Sequence, residues 1–203
     1  MKILVPIKRV ADPDNANKVR IEANDDQLDG RLVALALKKV VEEEKPDLIL
    51  MGKQAVDGDS NQVGQILAEL LDYPMATFAA TIQASPSGLE VSREVDGGVS
   101  VVAVGLPALI TVDLRIVSAT SVYSQQTDRA FKYNEGVRFA PLPAIMAAKK
   151  KKLDVKALAD LVPDTKLRTR YVEFAPPPER RAGKKVSNVA ELVSKLANEA
   201  KVI

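Results

Sequence analysis

Cysteine and histidine are both missing from this 203-residue chain. Their absence excludes disulfides, metal sites built on thiolate or imidazole, and catalysis that uses either side chain as nucleophile or base. Metal sites made of carboxylates alone stay open. A chain without cysteine also fits a reducing compartment. Excess charge of one sign is lacking too: 29 Lys+Arg face 27 Asp+Glu, a formal net charge of +2. No global field therefore argues for nucleic acid. No apolar run is long enough to cross a bilayer, and Met1-Lys2 leads straight into a strand with no signal-peptide core. The expectation is a soluble cytoplasmic protein that is not membrane-inserted. Neither well-known phosphate fingerprint occurs, no G-x-S-x-G elbow is found, and no internal repeat.

What is present centres on residues 48–71, LILMGKQAVDGDSNQVGQILAELL. A buried strand, 48–51, follows the helix-ending Lys45-Pro46-Asp47. A polar loop, 52–60, contains the turn signal Asp57-Gly58-Asp59. From Asn61 onward Val63, Ile66, Leu67 and Leu70 recur at helical spacing, with Asp59, Ser60 or Asn61 as the expected cap. A helix N-terminus behind a strand offers unpaired N–H groups and a partial positive charge, suited to a phosphate. Lys53 is either a point charge for that phosphate or an exposed side chain. Asp57 and Asp59 are turn formers and caps, or carboxylates that share a metal with a phosphate; their spacing does not define an acid/base pair. No catalytic constellation is found.

The string Gly52-Lys53-Gln54-Ala55-Val56-Asp57-Gly58-Asp59-Ser60-Asn61-Gln62-Val63-Gly64-Gln65 closely resembles, without gaps, the nucleotide loop of the electron-transfer flavoprotein β subunit. The opening MKILVPIKRVAD resembles that family's first strand, and SREVDGG followed by LPALITVDLR resembles the strands that complete its sheet near the partner. The resemblance implies an α/β fold: a Rossmann-like parallel-sheet nucleotide-binding domain, adenine nucleotide α-hydrolase-like, with an extended C-terminal arm. It implies AMP bound by Pro6 and by residues 52 to 63, with N–H groups near Asn61 and Gln62 on the phosphate. Pro13 stands where a tyrosine often approaches the partner's flavin.

One part of the family pattern is absent. Lys18-Val19-Arg20-Ile21 should lead to an Asn-Pro-Phe segment, a helix, a strand and a second helix. The chain passes directly to EANDDQLDG, so roughly a third of an ordinary domain of ~150 residues is missing near 21–22. Two explanations stand: a deletion, or a sequence that joins stretches from either side of an omitted piece. The second is preferred, because a deletion would strip a strand and a covering helix from a parallel sheet.

The remaining elements follow in order. Residues 32–44 read as a helix with an apolar face of Leu32, Val33, Leu35, Ala36, Val40 and Val41, capped by Asp29 and stopped by Pro46. Residues 3–10, 77–82, 89–95, 99–104 and 107–112 read as strands, with Pro6 near a strand end or at an edge and Asp96-Gly97 as a hairpin turn. Residues 118–132 are polar and unpatterned, like an insertion.

Residues 141–152, PLPAIMAAKKKK, read as a short amphipathic helix with a solvated basic end. They resemble the family's recognition loop, in which the leucine matching Leu142 anchors acyl-CoA dehydrogenases and related donors. Leu142, Pro143, Ile145 and Met146 are thus the expected docking residues, an apolar anchor beside steering lysines. Pro176-Pro177-Pro178 is a stiff linker. Asn188 and Glu191 fit a capping box ahead of an amphipathic helix built on Val189, Leu192, Val193, Leu196, Ala197 and Ala200. The expected division is a nucleotide-binding α/β domain, 1–152, including a docking segment 138–152, and an arm, 153–203, that packs on the partner subunit.

The resemblance implies an electron carrier subunit rather than an enzyme. In the family, electrons pass from a dehydrogenase, as in fatty acid β-oxidation, to FAD held mainly by the α subunit of the heterodimer. From there they go to a membrane quinone oxidoreductase, the flavin doing the redox work. Electron-bifurcating relatives hold a second FAD in the AMP site; Asn61 and Gln65 are of the AMP type, while Gly58 and Val63 occur in the other group. An alternative of a different class is a free-standing adenine-nucleotide-binding regulatory protein.

Overall fold

Helix α1, Gly30–Glu44, begins where Asp29 Oδ1 accepts the Leu32 N–H at 2.8 Å, and buries Leu32, Ala34 and Val41. It ends with Lys45 in the left-handed region, φ 45°, its N–H closing the last turn on Val41 O at 2.8 Å, and Pro46 cannot continue the helix. The computed structural model describes residues 1–8, 10, 28–117, 122–123, 140–169, 172, 183 and 185–203. They fall into two compact units, Met1–Arg170 and Tyr171–Ile203. The junction at Ile21 and Glu22, the loop 11–17 and the prolines 176–178 lie outside the described residues.

The first unit is built on a mixed seven-stranded sheet. Strand β1, Ile3–Leu4, pairs in parallel with β2, Leu48–Gly52. The strand expected over 3–10 is therefore shorter. Pro6 lies just past its end, where a missing N–H costs no ladder bond. β2 pairs in parallel with β6, Ala108–Val112, in the register Leu48↔Ala108 to Gly52↔Val112. β6 pairs in parallel with β3, Met75–Ser85. β4, Gly88–Val95, and β5, Gly98–Val104, extend the sheet as antiparallel strands, with Val95↔Gly98 at the expected Asp96-Gly97 turn. β7, Val122–Tyr123, pairs in parallel with β3; the rest of the expected insertion lies outside the described residues.

The period of two along each strand sorts the core. Ile49 and Leu109 point to one face, where Ala34 and Val41 of α1 and Leu67 and Ala68 of α2, Val63–Leu71, cover them. Leu48, Ala108 and Ile110 point to the other, with Ala76, Ala79, Ile82, Leu89, Val91 and Val104. Leu32, Ile49, Leu67, Leu109 and Ile110 are fully buried, each contributing about 1.5–3 kcal/mol. Helix α3, Leu142–Ala148, is exposed along its whole length. Beyond it, Lys156 pairs with Glu43 of α1, the short helix α4, Leu158–Leu161, leads to buried Val162, and the Arg168 N–H donates to Asp29 Oδ2 at 2.8 Å.

In the second unit, α5, Val189–Lys195, starts at Asn188, whose Oδ1 accepts the Glu191 N–H at 2.9 Å. Glu191 completes the box one residue earlier than expected, accepting the N–H and hydroxyl of Ser187 at 2.9 and 2.6 Å. Those bonds, with Lys195 behind them, hold its carboxyl below the ordinary glutamate value. A wider turn, Leu196–Ala200, follows.

Candidate functional site: a loop at the carboxyl ends of two parallel strands

β2 and β6 end at the same level, Gly52 opposite Val112. The next residues, Lys53 and Asp113, leave the sheet side by side. The Lys53 N–H still donates to Val112 O at 3.1 Å, and the Asp113 N–H donates to Ala79 O at 2.9 Å. The Lys53 ammonium lies 2.8 Å from Asp113 Oδ2, with the two side chains 27% and 14% exposed. It also sits 5.3 Å from the centroid of the Phe78 ring, a favourable cation–π position.

Phe78 is an unusual neighbour. Its φ is 56°, within β3, where the register to β6 shifts between Ala76 and Ala79. A bulky residue there is a true outlier that costs of order 1–3 kcal/mol. The shift lets the Phe78 N–H reach Oγ1 of Thr111, a buried polar side chain, at 3.3 Å. Asp113 falls within the string LPALITVDLR, but neither it nor Phe78 is singled out by the sequence, because both act through partners distant in the chain.

The loop itself is tightly turned. Ala55 O accepts the N–H groups of Gly58 and Asp59 at 3.3 and 2.9 Å. Asp59 and Asn61 are left-handed, φ 46° and 47°. Gln54 Nε2 donates to Asp59 Oδ1 at 2.8 Å, and the Ser60 hydroxyl donates to Gly58 O at 3.3 Å. From the other side, the Lys8 ammonium reaches Asp57 Oδ2 at 2.6 Å and ties the chain after β1 to the loop.

The expected side-chain cap on α2 is not formed. The capping position falls to Gln62, which makes no side-chain cap bond. Asp59 and Ser60 are used within the loop, and Asn61 Oδ1 instead accepts from Gln65 Nε2 at 3.0 Å. The first-turn N–H groups of α2 are thus left without a side-chain acceptor from this helix start. Beside them, Gln65 Oε1 is buried without a hydrogen-bond partner among the described residues, as is Arg31 Nη1 on α1. Helix N–H groups without a side-chain cap and a buried unpaired acceptor, next to a turned glycine loop, fit a nucleotide monophosphate, which brings both anionic oxygens and N–H or O–H groups.

The predicted binding residues are brought together by this geometry, save that Pro6 is placed only by its position after β1. Val56, Asp57, Gly58, Asp59, Ser60 and Gln62 are exposed along the rim, with Gly52, Gln54, Lys53, Ala55, Asn61 and Val63 on or below it. Leu142, Pro143, Ile145 and Met146 stand apart on exposed α3. Among the described residues no group of three or more carboxylates is placed to hold a metal ion, and no helix is long and apolar enough to cross a membrane.

An α/β unit with a turned loop at its carboxyl strand ends is the class defined by this fold and site. Residues 13–161 match the family described as electron transfer flavoprotein domain, and the chain belongs to that family. It is 47% identical over 171 residues to the electron transfer flavoprotein subunit beta of Bradyrhizobium diazoefficiens, covering 84% of this chain and 61% of the relative. It is 42% identical over 164 residues to the human subunit beta, covering 81% and 57%, and 40% identical over 170 residues to the mouse subunit, covering 84% and 60%. The chain thus spans about 60% of the length of the curated relatives it matches. The resemblance to subunit beta read in residues 52–65 is borne out.

Proposed function

We infer that the chain works as the β subunit of a heterodimeric electron-transfer flavoprotein, a carrier rather than an enzyme, and holds AMP as a structural ligand. The observation that carries this reading is the loop 53–61, folded over the ends of β2 and β6 before the uncapped start of α2. Pro6 and residues 52–63 surround the nucleotide, and N–H groups near Asn61 and Gln62 meet its phosphate. When bound between this chain and the α subunit, FAD supplies the one- and two-electron chemistry. This chain contributes the docking surface: Leu142, Pro143, Ile145 and Met146 form an exposed apolar patch on α3, followed by the lysines 149–152. Such a patch suits an acyl-CoA dehydrogenase type of donor with an apolar pocket rimmed by acidic groups. A membrane quinone oxidoreductase takes the electrons onward. The compartment is the bacterial cytoplasm, or the mitochondrial matrix in a eukaryote.

The test is to purify the chain with its native partner, denature the complex and count the released nucleotides. One FAD and one AMP per heterodimer is the expected result. Two FAD and no AMP would assign it to the electron-bifurcating branch. ATP without flavin would overturn the carrier reading in favour of a nucleotide-binding regulator.

A further inference from the structure

The cation nearest to the loop's start is already engaged. Lys53 is the first residue after β2, and the Asp113 carboxylate 2.8 Å away neutralises it in a half-buried position. The ring centroid of Phe78, whose backbone is left-handed, lies 5.3 Å from the same ammonium. Two strand ends, those of β2 and β6, and the bulge of β3 therefore meet at one side chain.

We propose that Asp113 is a positioning residue for the nucleotide loop: with Phe78 it holds Lys53 so that residues 54–61 present their N–H groups to a phosphate, and Lys53 itself is not the phosphate ligand. The inference rests on the reading of residues 52–63 as a nucleotide site. Three observations support it. The ion pair is only 27% and 14% exposed, so it is screened far less than a surface pair. The Lys53 backbone is fixed as well, through its N–H to Val112 O at 3.1 Å, so the side-chain pair and the main chain restrain the same hinge. Beyond Lys53, among the described residues, the turn is closed on itself by Gln54 to Asp59, Ala55 to Gly58 and Asp59, and Ser60 to Gly58, and is tied outward by the Lys8–Asp57 pair and by Asn61 to Gln65 of α2. Released at Lys53, that turn would be held only by the Lys8–Asp57 pair and by its junction with α2 among the described residues.

The proposal makes a prediction of opposite sign from a purely electrostatic account. Removing a carboxylate beside an anion site should tighten anion binding if Lys53 were the ligand, because the lysine would be released to the phosphate. If Asp113 positions the loop, its removal should weaken binding. The experiment uses the full chain with its native partner, stripped of nucleotide, and titrates AMP and adenosine by calorimetry into wild type, Asp113→Asn, Lys53→Met and the double variant.

Asp113→Asn is expected to weaken AMP about tenfold, a loss between those typical of exposed and of buried pairs. Adenosine, which lacks the phosphate, should change by less than about twofold, and the double variant should bind AMP no worse than either single one. Tighter or unchanged AMP binding in Asp113→Asn would overturn the proposal. Equal loss for AMP and adenosine would also overturn it, leaving a general structural role. If wild type binds neither nucleotide, the nucleotide reading falls. The positioning role is then decided by amide hydrogen exchange over 54–61, expected about tenfold faster in Asp113→Asn; unaltered exchange would overturn it.

Discussion

Gly64, in the first turn of α2, faces Thr111 of β6 so closely that a methyl group placed on it would lie 2.6 Å from Thr111 Cγ2. The helix start is thereby seated directly on the strand that ends just before Asp113. Overlap of this kind costs about 1–3 kcal/mol, set against about 1 kcal/mol gained when alanine replaces glycine in a helix. Gly64→Ala should therefore lower stability by about 1 kcal/mol in chemical denaturation. In a Thr111→Ser background, which removes Cγ2 and keeps the hydroxyl for Phe78, the same change should be neutral or stabilising. An equal cost in both backgrounds would show that the Thr111 contact is not what excludes the side chain.

Asp29 accepts two backbone N–H groups, from Arg168 and Leu32, both at 2.8 Å. The Arg168 bond first, then the Leu32 bond, hold its carboxyl below the ordinary aspartate value. A depressed folded pKa gives stability that is complete above the unfolded value of about 3.9 and is lost as the pH falls through the folded value. Asp29→Ala should cost about 1 kcal/mol at neutral pH. Its gap from wild type should narrow once the pH drops below about 4. Urea unfolding at neutral and acidic pH reads this directly, and a gap independent of pH would remove the charge from the account.

Gly88 opens β4 with φ 140°, and a Cβ there would stand 2.4 Å from Val104 O on the neighbouring strand. Both the backbone conformation and the space reject a side chain. Gly88→Ala should destabilise the protein by about 1–3 kcal/mol, and amide exchange should rise first in β4 and β5. Wild-type exchange in those strands would contradict this.

Lys8 and Asp57 form the other tie to the loop, at 2.6 Å, but the lysine side chain is 51% exposed. Exposed pairs contribute about 0–1 kcal/mol. Lys8→Met should lower the unfolding free energy by less than about 1 kcal/mol. The difference should shrink between about 0.05 and about 0.5 M salt. A larger, salt-independent loss would mean that Lys8 holds the loop by packing.

The elements legible in the sequence are those set by local rules. The Asp29 cap, the Lys45-Pro46 stop and the Asp96-Gly97 hairpin each depend on a few adjacent residues, and each is where it was expected. The family was legible because the loop string carries it. Capping of α2 was misread because nearer partners engage the candidates first: Gln54 donates to the Asp59 carboxylate, Gln65 donates to Asn61 Oδ1, and the Ser60 hydroxyl donates to Gly58 O. The first strand was read too long because apolar composition continues beyond Leu4 while the parallel pairing does not. Lys53 with Asp113 and Phe78 was illegible for a different reason: only the sheet order brings β2, β6 and the bulge of β3 together.

That order also has a bearing on how the chain acquires its site. β2 must wait for β6, and Lys53 must wait for a partner 60 positions downstream, while α2, β3, β4 and β5 are all made in between. Contacts of such sequence separation are slow to form, and closing the intervening stretch carries an entropic cost that local elements do not bear. During synthesis the loop would leave the ribosome long before its anchor. A nascent chain halted short of Ala108 would own the loop's residues and lack the strand that gives them a fixed place.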